Sequence, residues 1–411
     1  MSCKPTFYEL RDKFALFRQE AIGTAHIAYL DNAASTQKPE EVIQRMAEFS
    51  RFEYANVHRG LHELSERATA AYEAARKRAA EYIRAKQPES IVFTSGTTEA
   101  INLLANTWGE QNVQAEDTLL LTELEHHSNL LPWMQLARRK RASIAYVPVD
   151  PVTQVLDIER ARALIRKKPR LFAFAHVSNT LGSIQPVEEF CALSRENEVT
   201  TIVDAAQSAG HRPLNVCEIG CDFLVFSGHK MCGPTGIGVL YGRHELLAAM
   251  PPWQYGGEMV ERVSFDEATF SDPPARFEAG TPPIIEAVGL HAAMDFLDSV
   301  GREHIAKHSV ALAEEAAKGL QEIDGLRLFG PSVGRAGLVT FEIPGIHAHD
   351  LVFFLNAQGV ALRAGHHCAQ PLMRKLGAPS SSRASFYLYN TRQEIQRLLE
   401  GVQKAVTFFR A

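Results

Sequence analysis

The chain has 411 residues, 45% hydrophobic and 22% charged, with 43 basic against 48 acidic side chains for a formal charge of −5. That length exceeds one simple core, so one large and one smaller domain are expected. The charge balance offers no electrostatic footprint for nucleic acid or an anionic membrane surface. No apolar run is long enough to span a bilayer and no basic, apolar signal peptide opens the chain, so the cytosol is the expected compartment.

In chain order, residues 1–20 have helical periodicity and are expected to pack on the C-terminal part, and a helix comes next over 64–83. From about residue 90 to 242, short β-rich runs alternate with helical stretches. Strands are expected over 90–94, 118–122, 142–149, 171–175, 200–204, 223–227 and 236–241. Helices are expected over 98–107, 130–140, 158–167 and 186–197. Near-continuous apolar strands alternating with helices predict a mostly parallel sheet covered on both faces. After residue 283 the pattern changes to long helices over 284–300 and 305–323, strands over 337–343, 360–363 and 384–388, and a last helix over 392–409. That reads as a compact α+β unit. The expected division is 21–290 for a large α/β domain, with 1–20 and 291–411 forming the smaller one.

Six cysteines, at positions 3, 191, 217, 221, 232 and 368, are too scattered for a disulfide framework. Cys217 and Cys221 have the spacing of a metal half-site. No second pair stands at a zinc-ribbon distance, so no metal is expected there.

Ligands of open parallel sheets bind beyond strand ends, which directs attention to the residues just past each strand. Ser95-Gly96-Thr97-Thr98-Glu99 leaves a strand and starts a helix. Its glycine, hydroxyls and free N–H groups suit an anion, although an N-cap threonine needs none. Asp204 ends an apolar strand, where it could cap a turn or hold a pyridinium nitrogen protonated. Lys230 lies among small residues in Ser227-Gly228-His229-Lys230, beyond another strand. A lone lysine is usually a surface charge, but a desolvated one serves as a Schiff base. Three such signals in the order hydroxyl loop, Asp, Lys are improbable by chance. Farther on, Gly365-His366-His367-Cys368 puts a thiol in a loop flanked by imidazoles, which favour a reactive thiolate. Adjacent residues of an extended loop point different ways, so a metal site is not expected there either.

Taken together, the sequence resembles the pyridoxal-phosphate enzymes of fold type I in the class V aminotransferase superfamily, and within it the group II cysteine desulfurases. The resemblance runs over nearly the whole chain. It is carried by these segments and by Tyr29-Leu30-Asp31-Asn32-Ala33-Ala34, Val57-His58-Arg59-Gly60, Glu125-His126-His127-Ser128-Asn129 and Arg276-Phe277-Glu278-Ala279-Gly280-Thr281-Pro282. It implies that Lys230 carries the cofactor, Asp204 faces its ring nitrogen and Gln207 its phenolic oxygen. His126 would stack on the ring and shuttle protons. Thr97, Thr98, Ser227 and His229 would hold the phosphate, with Thr281 supplied by the second subunit of a homodimer. Asn179 and Arg383 would hold the substrate carboxylate, with Arg363 and His58 lining the site. Cys368 would take sulfur from L-cysteine as a persulfide, release alanine, and pass the sulfur to a SufE-like acceptor protein for iron–sulfur cluster assembly. Selenocysteine lyase and cysteine sulfinate desulfinase are the alternative activities on the same scaffold. One departure is Tyr255 in Trp253-Gln254-Tyr255-Gly256-Gly257, where the related enzymes often have a third glycine. It bears on acceptor access rather than on the ring chemistry.

Overall fold

The computed structural model describes residues 7–18, 27–378 and 380–411. The expected boundary between residues 20 and 21 lies outside the described residues, as does Cys3. Seven strands form the central sheet: β1 Ile91–Thr94, β2 Thr118–Thr122, β3 Ser143–Val147, β4 Leu171–Ala175, β5 Thr200–Asp204, β6 Phe223–Ser227 and β7 Gly238–Gly242. Their spatial order is β1-β7-β6-β5-β4-β2-β3. Strand β7 runs antiparallel to both neighbours, and every other pairing is parallel.

Alternation along these strands feeds two separate cores. Leu120, Phe172, Phe174, Val203, Leu224 and Phe226 face a cluster built with helices Glu63–Tyr82, Val187–Glu196 and Ile284–Val300. Leu119, Leu121, Leu171, Ala173, Ile202 and Phe223 face the opposite cluster, with helices Thr97–Leu104 and His127–Lys140. Covering on both faces explains why β4, Leu-Phe-Ala-Phe-Ala, is buried along its whole length.

A second, antiparallel sheet contains β8 Arg327–Phe329, β9 Leu338–Glu342, β10 Arg363–Gly365 and β11 Ser381–Ser385, in the order β8-β9-β11-β10. Helices Arg302–Gln321, Ala348–Asn356 and Arg392–Arg410 close a separate hydrophobic cluster against it. Two strands differ from expectation. The run over 360–363 divides: Val360–Ala361 pairs in parallel with Ala28–Tyr29, and Arg363 starts β10. Strand β11 begins earlier than expected because Ser381, Ser382 and Arg383 are buried in it despite their polarity. An exposed hairpin, Val260–Val263 with Ala268–Phe270, has too few buried residues to leave a hydrophobic pattern.

The N-terminal helix is shorter than its periodicity suggests, Phe7–Arg11, with a single turn of 3₁₀ helix after it, Ala15–Phe17. Arg11 donates to the Tyr389 carbonyl at 2.7 Å and pairs with Glu394 at 3.0 Å, and Phe14 packs edge-on to Tyr389. Phe14 also meets Phe296, so this segment touches both the C-terminal part and the long helix Ile284–Val300.

Candidate active site

A cavity of about 640 Å³ opens at the carboxyl ends of the central strands. Its lining gathers Thr97, Thr98, His126, Asn179, Asp204, Gln207, Ser227, His229, Lys230, Arg363, Cys368 and Arg383. These residues come from the ends of β1, β2, β4, β5 and β6 and from the second sheet, which is why sequence spacing alone cannot show them as neighbours.

The hydroxyl wall depends on a close approach. A Cβ at Gly238 would stand 2.5 Å from Gly96 Cα, so only glycine on β7 lets the β1 turn settle against β6. Thr97 N–H then donates to Ser227 Oγ at 2.9 Å, and the two hydroxyls lie 2.8 Å apart. Thr98 Oγ1 lies 2.7 Å from Ser128 Oγ. His229, on the next turn, is pushed down to about 4 by burial and the neighbouring Lys230 charge, which leaves it neutral.

Across the cavity, Asp204 accepts the Ala206 N–H at 2.9 Å through one oxygen and makes no hydrogen bond or ion pair with a described residue through the other. Burial raises its pKa, against the pull of that N–H and of Lys230. Burial lowers the pKa of Lys230, with Asp204 opposing, and its amine also has no hydrogen-bond or ion-pair partner among the described residues. Gln207 donates to the Ala33 carbonyl at 2.7 Å.

His126 caps helix His127–Lys140, and its Nδ1 accepts the Ser128 N–H at 3.1 Å. That bond leaves Nε2 as the protonated nitrogen of a neutral ring. Burial, reinforced by Lys230, depresses its pKa to about 3. Behind it, the buried Glu125 accepts from Asn129 Nδ2 at 2.6 Å, from Ala175 N–H at 3.1 Å and from the Thr122 hydroxyl. The carboxyl thereby joins β2, β4 and the helix that presents His126. Sequence reasoning missed this role; the only signal was a carboxylate between a strand end and a histidine.

The thiol is held by its backbone. Residues His367 and Cys368 both adopt left-handed conformations, with φ of 52° and 55°. The Cys368 carbonyl accepts His127 N–H at 2.8 Å, and the His367 carbonyl accepts Asn179 Nδ2 at 2.6 Å. Those bonds offset the cost of left-handed backbone at two residues that are not glycine. The side chain of Cys368 is exposed toward the cavity that Lys230 also lines. Asn179 in turn accepts Arg383 Nη1 on its carbonyl at 2.7 Å.

Two expected residues lie elsewhere in this chain. His58 pairs with Glu73 at 3.1 Å in a separate cavity with Arg76, Glu258 and Glu278, and Thr281 is exposed outside the main cavity. Tyr255 is exposed and its ring contacts Phe270 of the hairpin at 5.7 Å.

A doubly covered, mostly parallel sheet with lysine, aspartate and hydroxyls at its strand ends matches the aminotransferase class-V family, whose model aligns with residues 28–398. Among relatives, a probable cysteine desulfurase of Synechocystis is 46% identical over 97% of this chain and 96% of its own length. A cysteine desulfurase of Haloferax volcanii is 46% identical over 94% of this chain and 91% of its own. Of solved structures, the apo cysteine desulfurase of Thermococcus onnurineus superposes with a TM-score of 0.94 at 38% identity, covering 99% of this chain and 100% of that one. The Escherichia coli cysteine desulfurase CsdA gives 0.91 at 37%, covering 98% and 99%. The chain belongs to the aminotransferase class-V family and, within it, to the cysteine desulfurases.

Proposed function

We propose that this enzyme converts L-cysteine to L-alanine with pyridoxal phosphate as cofactor, storing the sulfur as a persulfide on Cys368. The observation that carries the reading is a single cavity lined by both Lys230 and the exposed Cys368. The residues present fit the cofactor. Among the described residues, an amine without a partner, a carboxylate oxygen without one, and a hydroxyl wall under a neutral imidazole face the same space. Lys230 would hold it covalently, Asp204 its ring nitrogen, Gln207 its phenolic oxygen, and Thr97, Thr98, Ser227 and His229 its phosphate. When bound, it supplies an electron sink for charge developing at the substrate Cα.

The chain's own groups do the rest. Arg383, held by the Asn179 carbonyl, binds the α-carboxylate through its planar fork. Lys230, its pKa lowered by burial, takes the Cα proton as a neutral amine. Neutral His126 carries a proton on Nε2 that it can lend to the reacting atoms. The Cys368 thiolate attacks the substrate sulfur: the new S–S bond forms, the Cβ–S bond breaks with its electrons left on carbon, and Cβ takes up a proton. Cysteine and a thiol thus become alanine and a persulfide, with no external oxidant or reductant.

The reading extends to a homodimer, in which the exposed Thr281 serves the neighbouring site, and to a cytosolic role in iron–sulfur cluster assembly through a SufE-like acceptor. The division into a large domain over 21–290 and a smaller one from 1–20 and 291–411 is part of the same proposal. Incubation with L-cysteine should yield equal alanine and transferable sulfur, with a mass increase of one sulfur on Cys368. Alanine formation with unmodified Cys368 would refute the assignment.

A further inference from the structure

The second histidine of Glu125-His126-His127-Ser128-Asn129 takes no part in the proposed chemistry, yet it holds the thiol loop on both sides of Ala369. That loop is a tight turn: Ala369 N–H donates to the His366 carbonyl at 2.9 Å, with the left-handed His367 and Cys368 between them. Neither is glycine, so the turn relies on bonds from outside it. His127 supplies two of them. Its backbone N–H donates to the Cys368 carbonyl at 2.8 Å, and its ring Nε2 accepts Gln370 N–H at 3.2 Å. Gln370 opens helix Gln370–Lys375, so that N–H has no acceptor within the helix. Nε2 accepts only in a neutral ring with its proton on Nδ1, the reverse of the arrangement in His126. On its own helix His127 neighbours His126, with ring centroids 6.3 Å apart, and Arg139 lines the same outer groove. The loop brings Cys368 and also His366, whose ring centroid is 5.6 Å away, and helix Thr97–Leu104 lends the groove uncharged Thr98 and Asn102. Arg374 and Lys375 stand at the opposite end of their helix from Gln370. Burial, with His366 adding to it, lowers the His127 pKa and keeps the ring neutral near pH 7.

We infer that His127 is a positioning residue for sulfur transfer, its ring clamping the turn that presents Cys368 to the substrate sulfur. The inference rests on the cysteine-desulfurase reading and deepens it. In the step it serves, the thiolate forms the S–S bond, the Cβ–S electron pair passes to Cβ, and Cβ takes up a proton. His127 does not line the main cavity and acts on that step through the loop backbone alone. It sets where the thiol stands, while removal of the Cα proton by Lys230 proceeds without it. A proton on Nε2 would set a donor against the Gln370 N–H. The clamp therefore holds near neutral pH and opens as pH falls below the ordinary histidine range.

The test uses the holoenzyme. His127→Leu removes the ring acceptor and keeps the backbone N–H; His127→Gln returns an acceptor, its amide oxygen, that does not titrate. Two rates are compared in each protein. One is single-turnover persulfide formation on Cys368 from L-cysteine, read by mass spectrometry. The other is exchange of the L-alanine Cα proton in deuterium oxide, which needs Lys230 but not Cys368. The ratio of the first to the second should fall by about tenfold or more in His127→Leu and recover in His127→Gln. Amide exchange over residues 366–370, referred to intrinsic rates, should lose protection in His127→Leu. In the unaltered enzyme that protection should fall between about pH 7.5 and about pH 5, and in His127→Gln it should not. Should His127→Leu fail to fold, this contrast in pH dependence decides the matter. An unchanged ratio in folded His127→Leu, a ratio that stays depressed in His127→Gln, or loop protection in the unaltered enzyme that ignores pH overturns the inference while leaving the function intact. An unaltered enzyme whose Cys368 gains no sulfur from cysteine overturns both.

Discussion

Substitution of Glu125 by Gln tests whether the carboxyl behind His126 carries a proton. Burial raises its pKa to about 8 from an ordinary value of 4.5, against the hydrogen bonds from Thr122 and Asn129. A group whose folded pKa is raised contributes stability that is fully present below the unfolded value and is lost as pH rises through the folded one. Between about pH 5 and about pH 7 that loss amounts to about 2.5 kcal/mol for the unaltered protein. Glutamine does not titrate, so it removes the slope. It also introduces a fixed penalty, because its NH₂ must face either the Ala175 N–H or the Asn129 Nδ2, both donors. Asn129 cannot turn over freely, since its Oδ1 accepts Trp133 Nε1 at 3.0 Å. That conflict costs about 1–3 kcal/mol at every pH. Glu125→Gln should therefore be clearly less stable near pH 5 and approach the parent near pH 7. For 411 residues the change in the gap corresponds to about 3 °C in Tm. Calorimetric scans of both proteins at matched rates, with the infrared band of a protonated carboxylic acid as a direct check, provide the measurement. A gap in Tm that stays constant with pH, with no such band lost in the variant, would refute the reasoning.

Other outcomes rest on the same geometry. Cys368→Ser should abolish persulfide formation and sulfide release from cysteine while retaining much of the selenide release from selenocysteine; equal loss on both substrates would contradict the role of the thiol. Lys230→Ala should bleach the near-visible absorption of the yellow holoenzyme and abolish turnover, as absorption spectra and alanine assays would report. Arg383→Lys keeps the charge but loses the fork, so KM for cysteine should rise by about tenfold or more with a smaller effect on kcat. His126, His176 and His211 are held at about 3, 3 and 4 by burial, so their contribution to stability is present above pH 6.5 and is lost as pH falls toward those values. An acid-side decline in Tm, opposite in sign to the Glu125 effect, should appear in urea or thermal melts.

The central sheet was legible because its strands are buried on both faces and so carry unbroken apolar runs such as Leu171–Ala175. The hydroxyl loop, Asp204 and Lys230 were legible because each lies at or just past the end of such a run. Strand β11 was misjudged at its start because Ser381, Ser382 and Arg383 are buried polar residues, invisible to hydrophobic periodicity. Glu125 stood out only as a member of a longer motif. Its role depends on a partner 50 residues away, and no local pattern reports a pairing at such a distance. The same limit applies to His58 and Thr281, whose resemblance to site residues says nothing about which cavity of one chain they reach.

Because neighbouring groups grip His367 and Cys368 through their carbonyls, nothing about the seat depends on sulfur. Position 368 therefore behaves as a socket into which a different reactive head can be fitted. Serine, alanine or selenocysteine should sit there without disturbing the loop, whereas a β-branched replacement would resist the left-handed backbone. Such an interchangeable position would let the proposed nucleophile be exchanged in engineered variants while Arg383 and Lys230 stay as they are.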